Sequence, residues 1–375
     1  MTITNLYDKI TDRPKLEVER TIVYQPEENW FYSHHPSITW FNNQYVAIWS
    51  NGRINEDDPG QRVLISRSSD FANWSTPEPL LDSMMGEDEE ITLTAAGFHQ
   101  HEGTLVAYAG AYEIASAYLE GGHRRADVRF GPDAYRHTRL FAVTSIDGKT
   151  WSEPTDLGLP IVPNHGPQAT ASGRLIICGN TLFPYSDDLS GLGGWKMAGI
   201  YPAEMAEGIA DDPMHFRPVA ERAGWASSLC EGSFYQTDDG VLHMLLRSQQ
   251  PRLWHASSRD DGETWSAPEP TDFTDNVSKF HLGRLPDGRF YNLSTPDPQT
   301  RGRRPRLILS LSEDGVCFDR QYILADEIYE QRAEGLHKNG QYGYPHSLIH
   351  DGYFCAIFSR RKEAMEVLRV PLAVL

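Results

Sequence analysis

The chain is poor in cysteine, with four in 375 residues, and these are widely separated. Cys178, Cys230, Cys317 and Cys355 form no C-x-x-C pair, so the sequence lacks the short spacing of zinc ligands and of dithiol redox motifs. We expect all four to be reduced side chains that act as small apolar residues.

The chain also lacks an excess of positive charge. Its formal net charge is −18, and no basic stripe interrupts the acidic background. Such a field repels nucleic acids and anionic membranes, so neither is a predicted partner. A small anionic ligand is compatible with this charge, because a local arginine cluster inside a cleft outweighs a diffuse negative field at contact distance.

Long apolar runs are missing as well. Segment 1–21 carries charges throughout, and no later segment approaches the roughly 20 apolar residues of a membrane span. We therefore expect a cytoplasmic protein. Aromatic residues are abundant, with 9 Trp, 17 Tyr and 15 Phe. Residues that form turns are abundant as well, with 31 Gly and 24 Pro. This composition favours many short strands in one all-β domain spanning residues 1–375.

One short motif occurs four times: a strand, a turn of Ser, Asp, Gly and an aromatic residue, and an extended exit. The copies lie at 66–80, 143–157, 256–270 and 309–323. The third copy, from Ser258 to Trp265, fits the pattern S-x-D-x-G-x-T-W in full. Ser and Asp side chains in such a turn bond to backbone amides, so we assign a structural role to its aspartates. These are Asp70, Asp147, Asp260 and Asp314.

Two strands joined by a tight turn precede each motif. Aligning these hairpins gives six repeating units, which begin near residues 33, 91, 161, 226, 276 and 340. The last unit ends at Leu375 without a motif, so we expect a strand at 16–24 to complete its sheet and close a ring. The sequence predicts a six-bladed β-propeller with four-stranded antiparallel blades. The stretch 83–225 leaves room for a seventh blade.

The first strand of each propeller blade lines the central channel, so side chains near the start of these strands converge at its mouth. Polar residues recur at these positions. This recurrence indicates a functional site rather than unrelated channel residues that are each hydrated by water. The residues are His34, His35, His99, His101, His165, Glu231, Lys279, His281, Tyr344 and His346. The histidine spacing matches no compact ligand motif, so we predict no metal or other cofactor.

The blade pattern and the four motifs, which correspond to Asp boxes, resemble the sialidase superfamily over nearly the whole chain. Segment 33–37 stands where that family has F-R-I-P, and Arg53 matches the arginine of its second motif. Its acid/base carboxylate corresponds to Asp57 or Asp58, of which we select Asp58.

The resemblance continues in the second half of the chain. Glu231 stands where the family has the glutamate that assists a tyrosine nucleophile, and Tyr344 matches that tyrosine. Arg247 matches one arginine of the carboxylate-binding triad. A further arginine of the triad has three candidates in one loop, namely Arg303, Arg304 and Arg306.

One position departs from the family, because His34 replaces the arginine of F-R-I-P. A neutral imidazole cannot offer the bidentate fork of a guanidinium, so the clamp on a sialic acid carboxylate is incomplete. Histidines at the channel mouth also resemble, less specifically, those of propeller polysaccharide lyases and propeller rhamnosidases.

These residues support three functions. In a glycoside hydrolase, Asp58 protonates the leaving oxygen while Glu231 and Tyr344 form a nucleophile pair or activate water. In a lyase, arginines neutralise a uronate carboxylate and His35 or Tyr344 removes the C5 proton. The third function is sugar binding without chemistry.

We place the hydrolase first, with an acidic or deoxy-sugar oligosaccharide as substrate. The predicted catalytic residues are Asp58, Glu231, Tyr344 and His35. The predicted substrate-binding residues are His34, Arg53, His99, His165, Arg247, His281, Arg303, Arg304 and His346. Since strand alternation points neighbours to opposite faces, at most one of His34 and His35 is expected to be catalytic. The sequence gives no indication of the oligomeric state.

Overall fold

The computed structural model describes residues 2–128, 130, 134–200 and 229–375. Within these ranges the chain is built mainly from antiparallel β-strands, so the predicted all-β class is confirmed. Short 3₁₀ helices occur at Ser116–Tyr118 and Leu372–Val374. No helix in the described ranges is long and apolar enough to cross a membrane.

Up to residue 200, the described residues form three sheets and one two-stranded ribbon. Strand β1 is Glu19–Tyr24. Sheet 1 contains β2 (Tyr32–Phe41), β3 (Gln44–Gly52), β4 (Arg62–Ser68) and β5 (Glu78–Leu81). Sheet 2 begins with β6 (Thr92–His101) and β7 (Thr104–Ile114), is interrupted by a ribbon of β8 (Leu119–Glu120) and β9 (His123–Arg124), and continues with β10 (Tyr135–Ser145) and β11 (Thr155–Asp156). Sheet 3 contains β12 (Gln168–Ala169), β13 (Leu175–Ile176) and β14 (Tyr185–Ser186).

Residues 229–375, together with β1, form three more sheets. Sheet 4 contains β15 (Cys230–Gln236), β16 (Leu242–Arg247), β17 (Arg252–Ser258) and β18 (Glu269–Thr274). Sheet 5 contains β19 (His281–Arg284), β20 (Phe290–Ser294), β21 (Leu307–Ser312) and β22 (Arg320–Ala325). Sheet 6 contains β23 (Tyr342–His350), β24 (Tyr353–Arg360), β25 (Ala364–Pro371) and, from the other end of the chain, β1.

Strand β1 pairs antiparallel with β25, with Glu19 opposite Arg369 and Thr21 opposite Val367. The expected pairing of an N-terminal strand with the last sheet is therefore observed. The first strands of the six sheets begin close to the predicted unit starts. The predicted start near 226, and the part of the possible seventh unit at 201–225, lie outside the described residues.

Two-residue turns explain why the first two strands pair locally in sheets 1, 2 and 6. Asn42–Asn43, Glu102–Gly103 and Asp351–Gly352 connect these strands, and all six residues have positive φ angles. Turns of this hand match the right-handed twist of the paired strands. The local sequence thus fixes the hairpins.

The Asp-box turns have the predicted structural geometry. In each, the serine hydroxyl lies close to Oδ1 of the aspartate, at 3.1, 2.9, 2.8 and 2.9 Å in chain order. Each aspartate also accepts hydrogen bonds from turn amides, as Asp260 does from Thr264 N at 2.9 Å. Trp265 packs partly buried against Phe183, with ring centroids 5.1 Å apart. The boxes therefore stabilise turns and the layers between sheets.

Six apolar clusters lie between consecutive sheets in the described ranges. Five of them join sheets 1 to 2, 2 to 3, 3 to 4, 4 to 5 and 5 to 6. The sixth joins sheet 6 to sheet 1, where Ile357 and Val367 pack with Ile38 and Trp49.

All four cysteines are described and no disulfide joins them; Cys178 is buried in the cluster between sheets 3 and 4.

Candidate active site

The described residues form a cavity of about 700 Å³. Its lining comes from the first strands, or from loops next to them, of all six sheets. The volume lies in the range of pockets that bind small molecules. Because each sheet contributes to the lining, residues far apart in sequence meet here.

Three lining residues occupy equivalent positions in their sheets. His35, Glu231 and Tyr344 each lie where the pairing of the first and second strands shifts register. Their φ angles are 53°, 51° and 50°, in the left-handed region. A β-bulge of this kind re-aims a side chain, and the conformation costs a non-glycine residue roughly 1–3 kcal/mol. Such strained residues cluster at active sites.

The centre of the cavity is a tyrosine between two charged groups. The Tyr344 hydroxyl donates a hydrogen bond to Glu231 Oε1, and Arg247 Nη1 donates to Tyr344 Oη at 2.6 Å. The same Arg247 nitrogen lies 2.5 Å from Glu231 Oε2. Tyr344 and Glu231 are buried, so these contacts operate in a weakly screened environment.

The surroundings shift the titration of both groups. Burial alone would raise the pKa of Glu231, but Arg247 and the Tyr344 hydroxyl overcome this and hold it below its ordinary value. Burial raises the pKa of Tyr344 well above 10, with the Arg247 guanidinium acting in the opposite direction. Both shifts hold the proton on the Tyr344 hydroxyl, so a neutral tyrosine donates its hydrogen bond to an ionised carboxylate.

Three cations surround the Tyr344 ring. The guanidinium carbons of Arg304 and Arg247 lie 5.5 and 5.9 Å from the ring centroid, and Lys362 Nζ lies 6.0 Å from it. Lys362 Nζ also lies 2.6 Å from Glu56 Oε2, and Arg304 donates to the Val277 carbonyl. The three cations outnumber the two carboxylates, Glu56 and Glu231, that pair with Lys362 and Arg247.

His35 faces the cavity beside this group. Its Nδ1 contacts Ser50 Oγ at 3.1 Å, and its Nε2 lies 4.0 Å from Glu56 Oε1. Burial lowers the pKa of His35 to about 4, with Glu56 acting against it and Lys362 adding to it. The imidazole is therefore neutral near pH 7.

The structure exchanges the positions expected of Asp57 and Asp58 relative to the cavity. Asp58, which we selected as the acid, is buried, and its carboxylate accepts hydrogen bonds from Arg124 N at 2.8 Å and Asn55 N at 3.0 Å, with His123 Nδ1 at 2.9 Å. It does not line the cavity formed by the described residues, because it holds the loop together. The lining residue is Asp57.

The Asp57 carboxylate accepts a 2.5 Å hydrogen bond from the Tyr112 hydroxyl, and Arg124 Nη1 lies 3.1 Å from its other oxygen. Burial, together with the neighbouring Glu56 carboxylate, raises the pKa of Asp57 above its ordinary value, against the effect of Arg124. A carboxyl group with a raised pKa suits a general acid.

His34 lies behind the cavity wall. It is fully buried, its Nδ1 contacts Ser359 Oγ at 2.7 Å, and its ring centroid lies 3.9 Å from that of Tyr344. The structure does not place His34 at the cavity as predicted, since the bulge turns His35, not His34, towards it. His34 instead packs against the tyrosine.

Four other predicted histidines also lie outside the lining of this cavity. His99 Nε2 bonds to the Leu189 carbonyl at 2.7 Å, because the loop after β14 folds over it. His165, His281 and His346 stack on one another instead, and their ring centroids are separated by 4.2 to 5.9 Å. Contrary to the prediction, the structure therefore does not bring these four histidines to the lining of the cavity.

The predicted substrate-binding arginines also divide into those that line the cavity and those that do not. Arg53 pairs with Glu90 at 3.1 Å and Arg303 is exposed, so neither lines the cavity formed by the described residues. Arg304 is buried and reaches the cavity, as does Arg247. The choice among the three clustered arginines therefore falls on Arg304.

Several lining residues were missed from the sequence. They are Glu56, Tyr112, Arg124, Arg301 and Lys362. Glu56 was detectable in principle, since it begins the acidic run Glu-Asp-Asp, whereas Lys362 comes from a tight turn between β24 and β25. Among the charged lining residues, five are basic and three acidic, a surplus of positive charge in a protein of net charge −18. The cavity can therefore attract an anion.

His34, His35 and Glu56 could in principle hold a metal ion, because one ligand atom of each lies within 4.8 Å of the others. Glu56 is already paired with Lys362, which leaves little charge for a metal. The lining instead combines a tyrosine hydroxyl bonded to a carboxylate, a carboxyl group with a raised pKa and a group of three cations.

Comparisons with solved structures show proteins of similar fold. The chain resembles a protein of unknown function from Dyadobacter fermentans, with 17% identity, 96% of this chain and 100% of the other covered, and a TM-score of 0.64. It resembles the Trypanosoma rangeli sialidase in complex with sialic acid at 14% identity, with 95% of this chain and 59% of the other covered and a TM-score of 0.62.

The NanB sialidase from Streptococcus pneumoniae matches at 12% identity, with 98% of this chain and 72% of the other covered and a TM-score of 0.63. This chain thus spans about three fifths of the first of these sialidases and just over two thirds of the second. At these identities the likeness establishes the fold. No curated protein matches the chain. The profile of the BNR repeat-like domain matches residues 43–355, which confirms the resemblance to the sialidase superfamily. The chain belongs to the BNR repeat-like domain family.

Proposed function

We propose that the protein is a sialidase-like exo-glycoside hydrolase that releases an acidic sugar from an oligosaccharide. The observation that carries this proposal is the Tyr344 hydroxyl, which contacts both Glu231 and Arg247 inside the cavity. A tyrosine paired with a carboxylate is the nucleophile of sialidases, in place of the usual second carboxylate of glycosidases. The cation cluster of Arg247, Arg304 and Lys362 supplies a partner for an anionic group of the sugar.

In the first step, Tyr344 Oη attacks the anomeric carbon and its proton passes to Glu231. Asp57 gives its proton to the glycosidic oxygen, the bond from that oxygen to the anomeric carbon breaks, and the alcohol leaves. In the second step, Asp57 takes a proton from water as the water attacks the anomeric carbon. Tyr344 leaves and recovers its proton from Glu231, so the product is the free sugar.

The cation cluster gives the enzyme its preference for acidic sugars. Arg247 and Arg304 present planar forks of donors, while Lys362 is a point charge. With His34 in place of the family's first arginine, Lys362 supplies the third positive charge from a different turn. We expect the anion to be held less rigidly than by three guanidiniums.

We further propose that the six sheets are the blades of one closed six-bladed propeller formed by residues 1–375. The support is the apolar cluster between sheets 6 and 1, the contact of β2 with both β6 and β23, and the pairing of β1 with β25. Closure of this kind removes exposed sheet edges. It also directs the first strands of all sheets towards one site.

The test is to incubate the protein with a panel of acidic-sugar oligosaccharides and their aryl glycosides. Products heavier by one water support the proposal. A fluorinated donor of the accepted sugar slows the second step and should label Tyr344, detected by peptide mass spectrometry. Unsaturated products that absorb near ~235 nm would instead indicate β-elimination and overturn the hydrolase.

A further inference from the structure

A second group of ionisable side chains lies between the first strands, apart from the cavity lining. His165 precedes β12, His281 begins β19, and His346 lies in β23, so three sheets contribute. One ring nitrogen of each histidine lies within 4.8 Å of those of the other two. We call these residues the three-histidine cluster. Such convergence of imidazoles from distant parts of the chain is a feature of metal sites.

One nitrogen in the cluster is an unused acceptor. His165 Nε2 lies 3.0 Å from the Phe280 carbonyl, so it must carry the proton and donate it. His165 Nδ1 therefore presents a lone pair, and this atom is buried with no hydrogen-bond partner among the described residues. A ring held by a carbonyl on one nitrogen and free on the other is the usual arrangement of a metal-binding histidine.

His281 has a comparable support. Its Nδ1 lies 2.7 Å from Ser347 Oγ, and that hydroxyl lies 3.0 Å from Tyr291 Oη. The Ser347 amide is 3.1 Å from the same nitrogen and favours the other tautomer. Binding of a metal at Nε2 would select the tautomer in which Nδ1–H donates to Ser347 Oγ and Ser347 donates to Tyr291.

We propose that the three-histidine cluster binds a divalent transition-metal ion of the zinc type, with one imidazole nitrogen from each histidine. Tetrahedral ligands at ~2.0–2.1 Å from zinc lie about 3.3 Å apart, so the rings need to approach by roughly 1 Å or somewhat more. Imidazole suits zinc, copper and nickel, and no carboxylate belongs to the cluster in the described ranges, which disfavours magnesium and calcium. The ion would join strands of three sheets.

A substitution at Lys279 distinguishes a site that binds a metal cation from a site that binds an anion. Its Nζ is buried without a hydrogen-bond partner among the described residues, and its charge acts on all three histidines. Because like charges repel, Lys279→Met should strengthen the binding of a divalent cation and weaken that of an anion. The change replaces a buried amine that has no hydrogen-bond partner among the described residues with an apolar side chain, so the variant should fold.

The experiment is a titration of the full chain with Co²⁺, followed by its visible absorption bands, and competition with Zn²⁺. We expect one ion per chain. His281→Ala should weaken binding about 100-fold or more, and Ser347→Ala about 10–100-fold, since the serine only orients a ligand. Lys279→Met should bind Co²⁺ more tightly. Circular dichroism checks the fold of each variant, and His346→Gln replaces His281→Ala if the latter does not fold.

The matched control is His255→Ala, because His243 Nδ1 and His255 Nε2 lie 3.0 Å apart outside the cluster. Loss of binding in this variant but not in His281→Ala would place the ion at that pair and overturn the proposal. Loss only in His35→Ala would place it in the cavity, and weaker Co²⁺ binding in Lys279→Met would contradict a cation site. Absence of saturable binding would overturn the proposal directly. Since the readout is binding, these results do not depend on glycosidase activity.

Discussion

Replacement of Tyr344 by phenylalanine tests the centre of the proposed mechanism. The change removes only the hydroxyl that contacts Glu231 and Arg247. Because the contact of Arg247 with Glu231 at 2.5 Å remains, both charges keep a partner. Hydrogen bonds to charged groups contribute roughly 1.5–3 kcal/mol, so we expect a loss of about 2 kcal/mol in the free energy of unfolding.

The effect on catalysis should be much larger than the effect on stability. Without the nucleophile, kcat should fall about 1000-fold or more, which corresponds to about 4 kcal/mol of activation free energy. The assay is the hydrolysis rate with an accepted aryl glycoside, measured beside urea unfolding of the same preparation.

Tyr342→Phe is the matched control on the same strand. Tyr342 is fully buried, and its hydroxyl donates to the Glu327 carbonyl at 3.0 Å, away from the cavity lining. It should lose a comparable amount of stability and keep its activity. If Tyr344→Phe retains kcat within about tenfold of the parent, the nucleophile assignment is refuted. Equal activity losses in both variants would mean that the effect is structural.

Three further predictions follow from neighbouring residues. Arg304→Lys removes a bidentate donor and should raise KM about tenfold or more for an anionic substrate. Arg303→Lys, at an exposed position, should leave KM unchanged. Equal effects of the two changes on KM would contradict the assignment of Arg304 to substrate binding. Asp57→Asn should lower kcat strongly for alcohol leaving groups and weakly for activated aryl leaving groups, while Asp58→Asn should mainly lower the urea midpoint; the reverse pattern would restore Asp58 as the acid. Burial lowers the pKa of His35 to about 4 in the folded protein. As the pH falls from 6.5 towards 4, His35 is protonated in the unfolded chain before it is protonated in the folded protein, so the free energy of unfolding decreases. His35→Asn, with a residue that tolerates positive φ, should reduce the loss of unfolding free energy between pH 7 and pH 5 by about 2 kcal/mol; an unchanged pH dependence would contradict the burial argument.

Local sequence determined most of the architecture. Turns such as Asn42–Asn43 fix hairpins because two adjacent residues adopt positive φ, and the Asp-box contacts span only a few residues. Since these interactions are short in sequence, their pattern can be recognised without tertiary information. The same repeat located Glu231 and Tyr344, because equivalent positions of repeating units converge at one place.

Only the tertiary structure decided which of two adjacent residues faces the cavity. A bulge in β2 turns His35 inward and leaves His34 behind the wall, and loop packing does the same for Asp57 and Asp58. Strand alternation has a period of two, so one extra residue in a strand reverses every assignment beyond it. The sequence does not mark where that extra residue lies.

Long-range packing also brought in residues that no motif indicated. Lys362 reaches the cavity from a turn between β24 and β25, and the three-histidine cluster forms from strands of three sheets. These groups meet because consecutive sheets pack through apolar clusters and place their first strands side by side. The sequence by itself determined the repeating unit and the kind of residue available at each first strand, whereas the packing of the sheets decided which charges share one cavity.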